Sequence, residues 1–193
     1  MDTRERILDV ALHAFGSRGY EATSLDSIAA ELGVRKQSVL YWYTSKEALL
    51  EAVIDDAAAA LSAEIERSLV KSSESFGRIE AVVRALFAVA TRRPELLGLL
   101  RELSRLGPPA STRFTEAVES LKLRASRFFA SEMDKGRFRR SDPSLTLMAT
   151  YSIVVGMATD VDVMRAFGIE PTTRSAARRR KAVLDFLRSA LVK

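Results

Sequence analysis

Residues 23–46 read TSLDSIAAELGVRKQSVLYWYTSK, and this stretch decides the fold. Leu25, Ile28, Ala29 and Leu32 fall at i, i+3, i+4 and i+7, the spacing of one helix face. Thr23 or Ser24 supplies an N-cap oxygen, and Gly33 stops the stripe. A second short helix is predicted over roughly 36–43. Between the two the chain must turn tightly, which calls for positive φ, and glycine accepts that without a Cβ clash. Ala29, four residues before the glycine, leaves room where the helices cross. Ile28, Leu32, Val34 and Val39 are placed to hold the crossing angle. This is the layout of a helix-turn-helix, in which one helix lies across the DNA backbone and the next enters the major groove.

Outward from this unit the period remains helical, and no strand-like alternation of useful length occurs. Upstream, Asp2 and Glu5 form a capping-box pattern for a first helix carrying Ile7, Leu8, Ala11 and Phe15, with Gly19 after its end. Downstream, Thr44-Ser45 caps a long helix predicted over 46–71. Ser72-Ser73-Glu74-Ser75 reads as a linker. Further helices are predicted over 76–92, 95–105, 111–135, 143–167 and 172–192, for nine in all. Pro94, Gly107-Pro108-Pro109 and Gly136 punctuate them. The expected class is all-α, with an N-terminal three-helix domain over 1–47 and a helical domain over 48–193.

Composition narrows the chemistry. There is no cysteine, and His13 is the only histidine, so thiolate chemistry, disulfides and a Cys/His metal site are not expected. A Glu-x-x-His di-metal motif does not occur, and a Ser–His–Asp arrangement would have to recruit His13. No catalytic residue, metal or cofactor is assigned. The start lacks a basic-then-apolar signal pattern, and the uncharged run 143–159 falls short of a membrane span, so a cytoplasmic location is expected. Net charge is +5, yet residues 1–50 hold six basic and seven acidic side chains. The excess lies downstream and includes Arg178, Arg179, Arg180 and Lys181. Local charge is therefore the better guide: 32–46 carries Arg35, Lys36 and Lys46 and no acid.

Arg35, Lys36 and Gln37 open the second helix of the unit, at the end that meets base edges; Arg and Lys suit guanine, and Gln suits adenine. Ser38, Tyr41 and Trp42 share a stripe behind them. Tyr43 stacks with Val39 at i+4 and is expected in the core. Lys46 opens a helix, where free N–H groups favour a phosphate.

With these residues in view, the segment from Arg4 to Leu50 resembles the TetR family of transcriptional regulators. The matching stretches are RERILDVALHAFGSRGYEATSLDSIAAELGV, then Tyr41 and SKEALL. The resemblance implies base contacts from Lys36 and Gln37, with Arg35. It implies phosphate contacts from Ser24, Ser38, Tyr41, Trp42 and Lys46. Three positions depart from the family pattern. Leu40 stands where tyrosine is frequent, Trp42 where histidine or a similar polar group is common, and Thr44 where proline is frequent.

The resemblance weakens after about residue 55, and there it implies a layout rather than residues. The fourth helix links the domains, and the last two form a homodimer interface. The helix predicted over 143–167 is apolar nearly all round, and the last helix sets Val183, Leu184, Leu187 and Leu191 against a basic face. A four-helix interface with the partner's copies is expected, and with it a pseudo-palindromic double-stranded DNA operator. Phe87, Leu100, Leu103, Phe114, Phe128, Met148 and Tyr151 are candidates to line an effector pocket, which suggests a small apolar or aromatic effector. Effector binding is expected to shift the fourth helix and release a repressor from DNA. The alternative is a helical dimer that binds a small molecule or a protein without sequence-specific DNA binding.

Overall fold

The computed structural model describes residues 2–70, 72 and 75–193. Among them the fold is all-α, with eleven helices: α1 Thr3–Arg18, α2 Leu25–Leu32, α3 Lys36–Trp42, α4 Lys46–Val70, α5 Phe76–Arg92, α6 Pro94–Leu106, α7 Ala110–Ala117, α8 Glu119–Asp134, α9 Pro143–Thr159, α10 Val161–Ala166 and α11 Thr173–Leu191. Of the linker predicted over 72–75, Ser73 and Glu74 lie outside the described residues.

Helix starts follow their caps. The Asp2–Glu5 capping box opens α1, and Ser24, not Thr23, caps α2 through the Ser27 N–H. Thr23 is instead buried and donates its hydroxyl to Gly19 O. Ser45 Oγ accepts from Ala48 N at the start of α4, and Pro94 forms the first turn of α6. Two predicted helices are each divided. The one expected over 111–135 breaks at Val118 into α7 and α8, and the one over 143–167 breaks at Asp160 into α9 and α10. The second break has a local cause: Asp160 turns its carboxylate onto the Val163 N–H and starts a new helix. The first has no glycine or proline to mark it. It falls where the chain passes from one compact unit to another.

Those units are residues 1–61 with 93–118, and 62–92 with 119–193; one division falls within α4. In the first unit Ile7, Leu12, Phe15, Ile28, Val39, Leu49, Ile54 and Leu99 are fully or almost fully buried, and α1 packs along α6. That packing depends on two glycines. A Cβ on Gly98 would sit 2.1 Å from Gly16 O, and one on Gly16 would sit 2.3 Å from Glu95 O. The contact is backbone on backbone. Beside it, Glu102 of α6 accepts from Tyr20 N at 2.6 Å and takes two bonds of 2.8 Å from Arg105. The two bonds from Arg105 hold its carboxyl below the usual glutamate range.

In the second unit, α5, α8, α9 and α11 enclose a core of Phe76, Val83, Phe87, Phe129, Met133, Phe138, Val154, Val183 and Leu187. Burial of each such side chain contributes about 1.5–3 kcal/mol. Glu132 is the buried carboxylate of this unit. It receives two 2.6 Å bonds from Arg137, which lower its pKa in the same way. No helix among the described residues is long and apolar enough to cross a membrane.

Candidate nucleic-acid interface

The tight turn after α2 forms as its residues require. Gly33 adopts φ 70° and ψ 30°, the left-handed region, and its N–H bonds to α2 carbonyls. Val34 N returns to Ala29 O at 3.0 Å. Ile28 and Val39 are fully buried at the crossing, with Ala29 beside them. This leaves the outer face of α3 open.

That face carries the candidates predicted from sequence. Arg35, Lys36 and Gln37 are exposed at its start, and Ser38 is half-buried one residue on. Tyr41 is 80% exposed and Trp42 44% exposed, with ring centroids 5.3 Å apart, edge to face. Tyr43 is buried in the core, as its i+4 relation to Val39 requires. Ser24 is exposed at the N-terminus of α2. Leu40 is half-buried, so part of its side chain serves packing.

Two features escaped the linear reading. The 32–46 window lacks acids, but folding brings Asp26 of α2 to the Lys36 ammonium at 2.8 Å. Both side chains are well exposed, so the pair contributes no more than about 1 kcal/mol and can exchange for another anion. Lys46 lies over the Tyr20 ring, 4.1 Å from its centroid, while the Tyr20 hydroxyl donates to Glu47 at 3.1 Å. Desolvation, then Glu47, pushes the Tyr20 phenol up to about 12, so it stays a proton donor. An aromatic 26 positions upstream thus orients the ammonium at the start of α4, a cation–π contact that helical spacing could not signal.

The effector candidates divide. Leu100, Leu103 and Phe114 belong to the first unit and Phe87, Phe128, Met148 and Tyr151 to the second. Phe87 is buried, and Phe128 packs against the same core. Met148 and Tyr151 depart from the expectation: they are 59% and 53% exposed on α9. The reason is that α9 is apolar on more sides than its own unit covers. Leu145 shares that exposed side, and Phe186 of α11 is also exposed.

The profile of "Bacterial regulatory proteins, tetR family" matches residues 7–53. The nucleoid occlusion factor SlmA of Pasteurella multocida is 30% identical over 100 residues, 51% of this chain and 50% of that protein. The chain spans about half the length of the curated relatives it matches. A transcriptional regulator from Saccharomonospora viridis, solved in complex with choline, superposes with a TM-score of 0.82 at 18% identity, covering 98% of this chain and 97% of that one. AibR, solved with isovaleryl coenzyme A and operator DNA, gives 0.80 at 19% identity, covering 96% and 98%. At those identities the likeness is one of fold. The profile match and the α2–Gly33–α3 geometry agree on the same residues: over 7–53 this chain is a helix-turn-helix domain of the TetR family of bacterial regulatory proteins.

Proposed function

We propose that the chain is a one-component transcriptional repressor that binds a pseudo-palindromic operator as a homodimer and leaves it when a small effector binds. The observation that carries this is the α3 face. Arg35, Lys36 and Gln37 stand exposed beside the solvent-facing rings of Tyr41 and Trp42, which pack edge to face on one another. In this reading Lys36, Gln37 and Arg35 reach base edges, and Ser24, Ser38, Tyr41, Trp42 and Lys46 hold phosphates. Lys36 exchanges Asp26 for DNA as it docks.

Dimerisation is supported by the apolar side of α9, where Leu145, Met148 and Tyr151 are exposed, and by Phe186 of α11. A patch of this kind marks an interaction surface. A two-fold pairing would set two recognition helices one DNA turn, or a multiple, apart. Effector binding then biases the separation of the recognition helices, with a coupling of roughly 1–3 kcal/mol. The complexes of fold relatives with choline and with isovaleryl coenzyme A support a small-molecule effector in general terms.

The test is titration of the full chain with DNA from upstream of its own gene and with selected random-library DNA, at two salt concentrations. Trp42 is the only tryptophan, so its fluorescence reports on α3. Tight, saturable binding to a two-fold site, weakening with salt, is expected. Binding without sequence preference would return the alternative, a helical dimer that recognises a small molecule or a protein.

A further inference from the structure

Arg179 lies in the basic run 178–181, where the linear reading places a solvated face. It is only 6% exposed. The register explains this: Arg179, Val183, Leu187 and Leu191 follow one another at intervals of four, so the arginine occupies the first position of the buried stripe of α11. Its Nη1 donates to Met157 O, near the C-terminal end of α9, and its guanidinium carbon lies 6.0 Å from the centroid of the buried Phe87 ring. Its Nε is buried without a hydrogen-bond partner. No salt bridge joins it to a carboxylate among the described residues.

A buried cation without a counter-ion is expensive, and the groups around Arg179 do little to offset it. One terminal carbonyl and the negative end of a helix dipole amount to about half a charge. Burial depresses its pKa. Three other arginines show what this side chain does here when an acid is available. Arg105, Arg113 and Arg137 each grip a carboxylate through Nε and Nη2 together. In Arg179 that edge has its Nε free, and Nη1 alone is tied to the backbone. We propose that Arg179 is the anchor for an effector carboxylate, held side-on by Nε and Nη2, with the apolar part of the effector against Phe87. The effector class is then an amphipathic organic acid rather than a wholly apolar molecule. This rests on the effector-responsive reading above.

A purely structural role, capping the α9 end, predicts a different behaviour. The test uses the full chain and pairs of probes that differ only in charge: octanoate with octanamide, and phenylacetate with phenylacetamide. Binding is read by calorimetry and by the shift in melting temperature. At least one acid is expected to bind about tenfold or more tighter than its amide, and Arg179→Gln is expected to abolish that preference while the apo protein still melts cooperatively. Arg179→Lys, which keeps charge and capping but loses the fork, should retain part of it and serves if the glutamine variant does not fold. Equal binding of acid and amide, no binding by either acid, or an unchanged preference in Arg179→Gln or Arg179→Lys would overturn the assignment. Operator affinity with and without the bound acid separates the two claims. An acid that binds through Arg179 but leaves DNA affinity unchanged defeats the repressor mechanism, not the anion site. A neutral amide that releases DNA as well as its acid defeats the anion site, not the mechanism.

Discussion

The exposed face of α3 and the exposed face of α9 both present aromatic rings to solvent, and they differ in what surrounds them. Tyr41 and Trp42 stand among Arg35, Lys36 and Gln37, while Tyr151 stands with Leu145 and Met148. A ring beside cations and amides suits a polyanion with stacked or hydrogen-bonding edges. A ring beside leucine and methionine suits another apolar surface, because nothing nearby would compensate a buried charge. Exposure alone therefore says that a face is unfinished, and its neighbours say what completes it.

The largest effect should come from breaking the α9 side. Met148→Glu places an unpaired charge in the proposed interface, and two-fold symmetry places it there twice. Because Met148 is mostly exposed within its own unit, the monomer should keep its helical signal and melt cooperatively. Sedimentation velocity should show a monomer, and operator affinity should fall at least about 100-fold. A dimeric Met148→Glu protein with normal operator affinity would remove α9 from the interface.

Next in size is Gly98→Ala. The added Cβ would meet backbone atoms of Gly16, the nearest at 2.1 Å, and no side chain can move aside to relieve it. A loss of about 3 kcal/mol is expected in denaturant unfolding, at the upper end of overpacking effects. An unchanged unfolding midpoint would mean that α1 and α6 can separate freely. The variant also asks whether α1 must be seated on α6 for α3 to bind DNA, since operator binding can be measured at a temperature where the protein is still folded.

These cases show what the sequence could reveal. The bounds of α1 to α5 were close to legible because caps, a left-handed glycine and stripes of regular period all act within one helix. The break at Val118 was not, because it has no local cause and the chain simply changes the unit it packs against there. Lys36 was legible as a surface cation, but its Asp26 partner depends on the α2–α3 crossing. Arg179 was hidden for a different reason: four consecutive basic residues suggest a wet face, although the interval of four to Val183 places one of them on the dry one. The effector candidates suffered most. Large apolar residues mark core and pocket alike, and on α9 they mark a third thing, an uncovered surface.

A smaller pair of effects would sharpen the α3 side. Gln37→Ala should cost about 1–3 kcal/mol and relax the preference at one operator position, as loss of a base contact does. Lys46→Ala should weaken binding to all sequences alike and reduce the slope of log affinity against log salt by about one, the signature of a lost phosphate contact. If Gln37→Ala lowered affinity without altering the preferred sequence, α3 would be holding the backbone rather than reading bases.

The smallest expected effect compares the two units through their buried carboxylates. Glu102 and Glu132 are each gripped by an arginine fork, and each has its pKa lowered, first by that hydrogen bonding. A carboxyl whose folded pKa is depressed binds its proton more readily when unfolded. It therefore contributes stability above the ordinary glutamate range, and that contribution is lost as pH falls through the folded value. The arginine partners are substantially solvated, which limits the gain in either unit. Melting temperature should accordingly be level near neutrality and decline on acidification below the ordinary glutamate range. Glu102→Gln and Glu132→Gln should each flatten that decline while lowering the neutral plateau. Glutamine keeps an acceptor oxygen, so a second pair, Glu102→Leu and Glu132→Leu, removes the acceptors as well as the charges. Glu102 also accepts from Tyr20 N, and Tyr20 lies beneath Lys46, so only Glu102→Leu should change operator affinity at a pH where both proteins are fully folded. Equal operator affinity for the two leucine variants would show that the Glu102–Tyr20 bond supports the fold of the first unit without setting the position of Lys46.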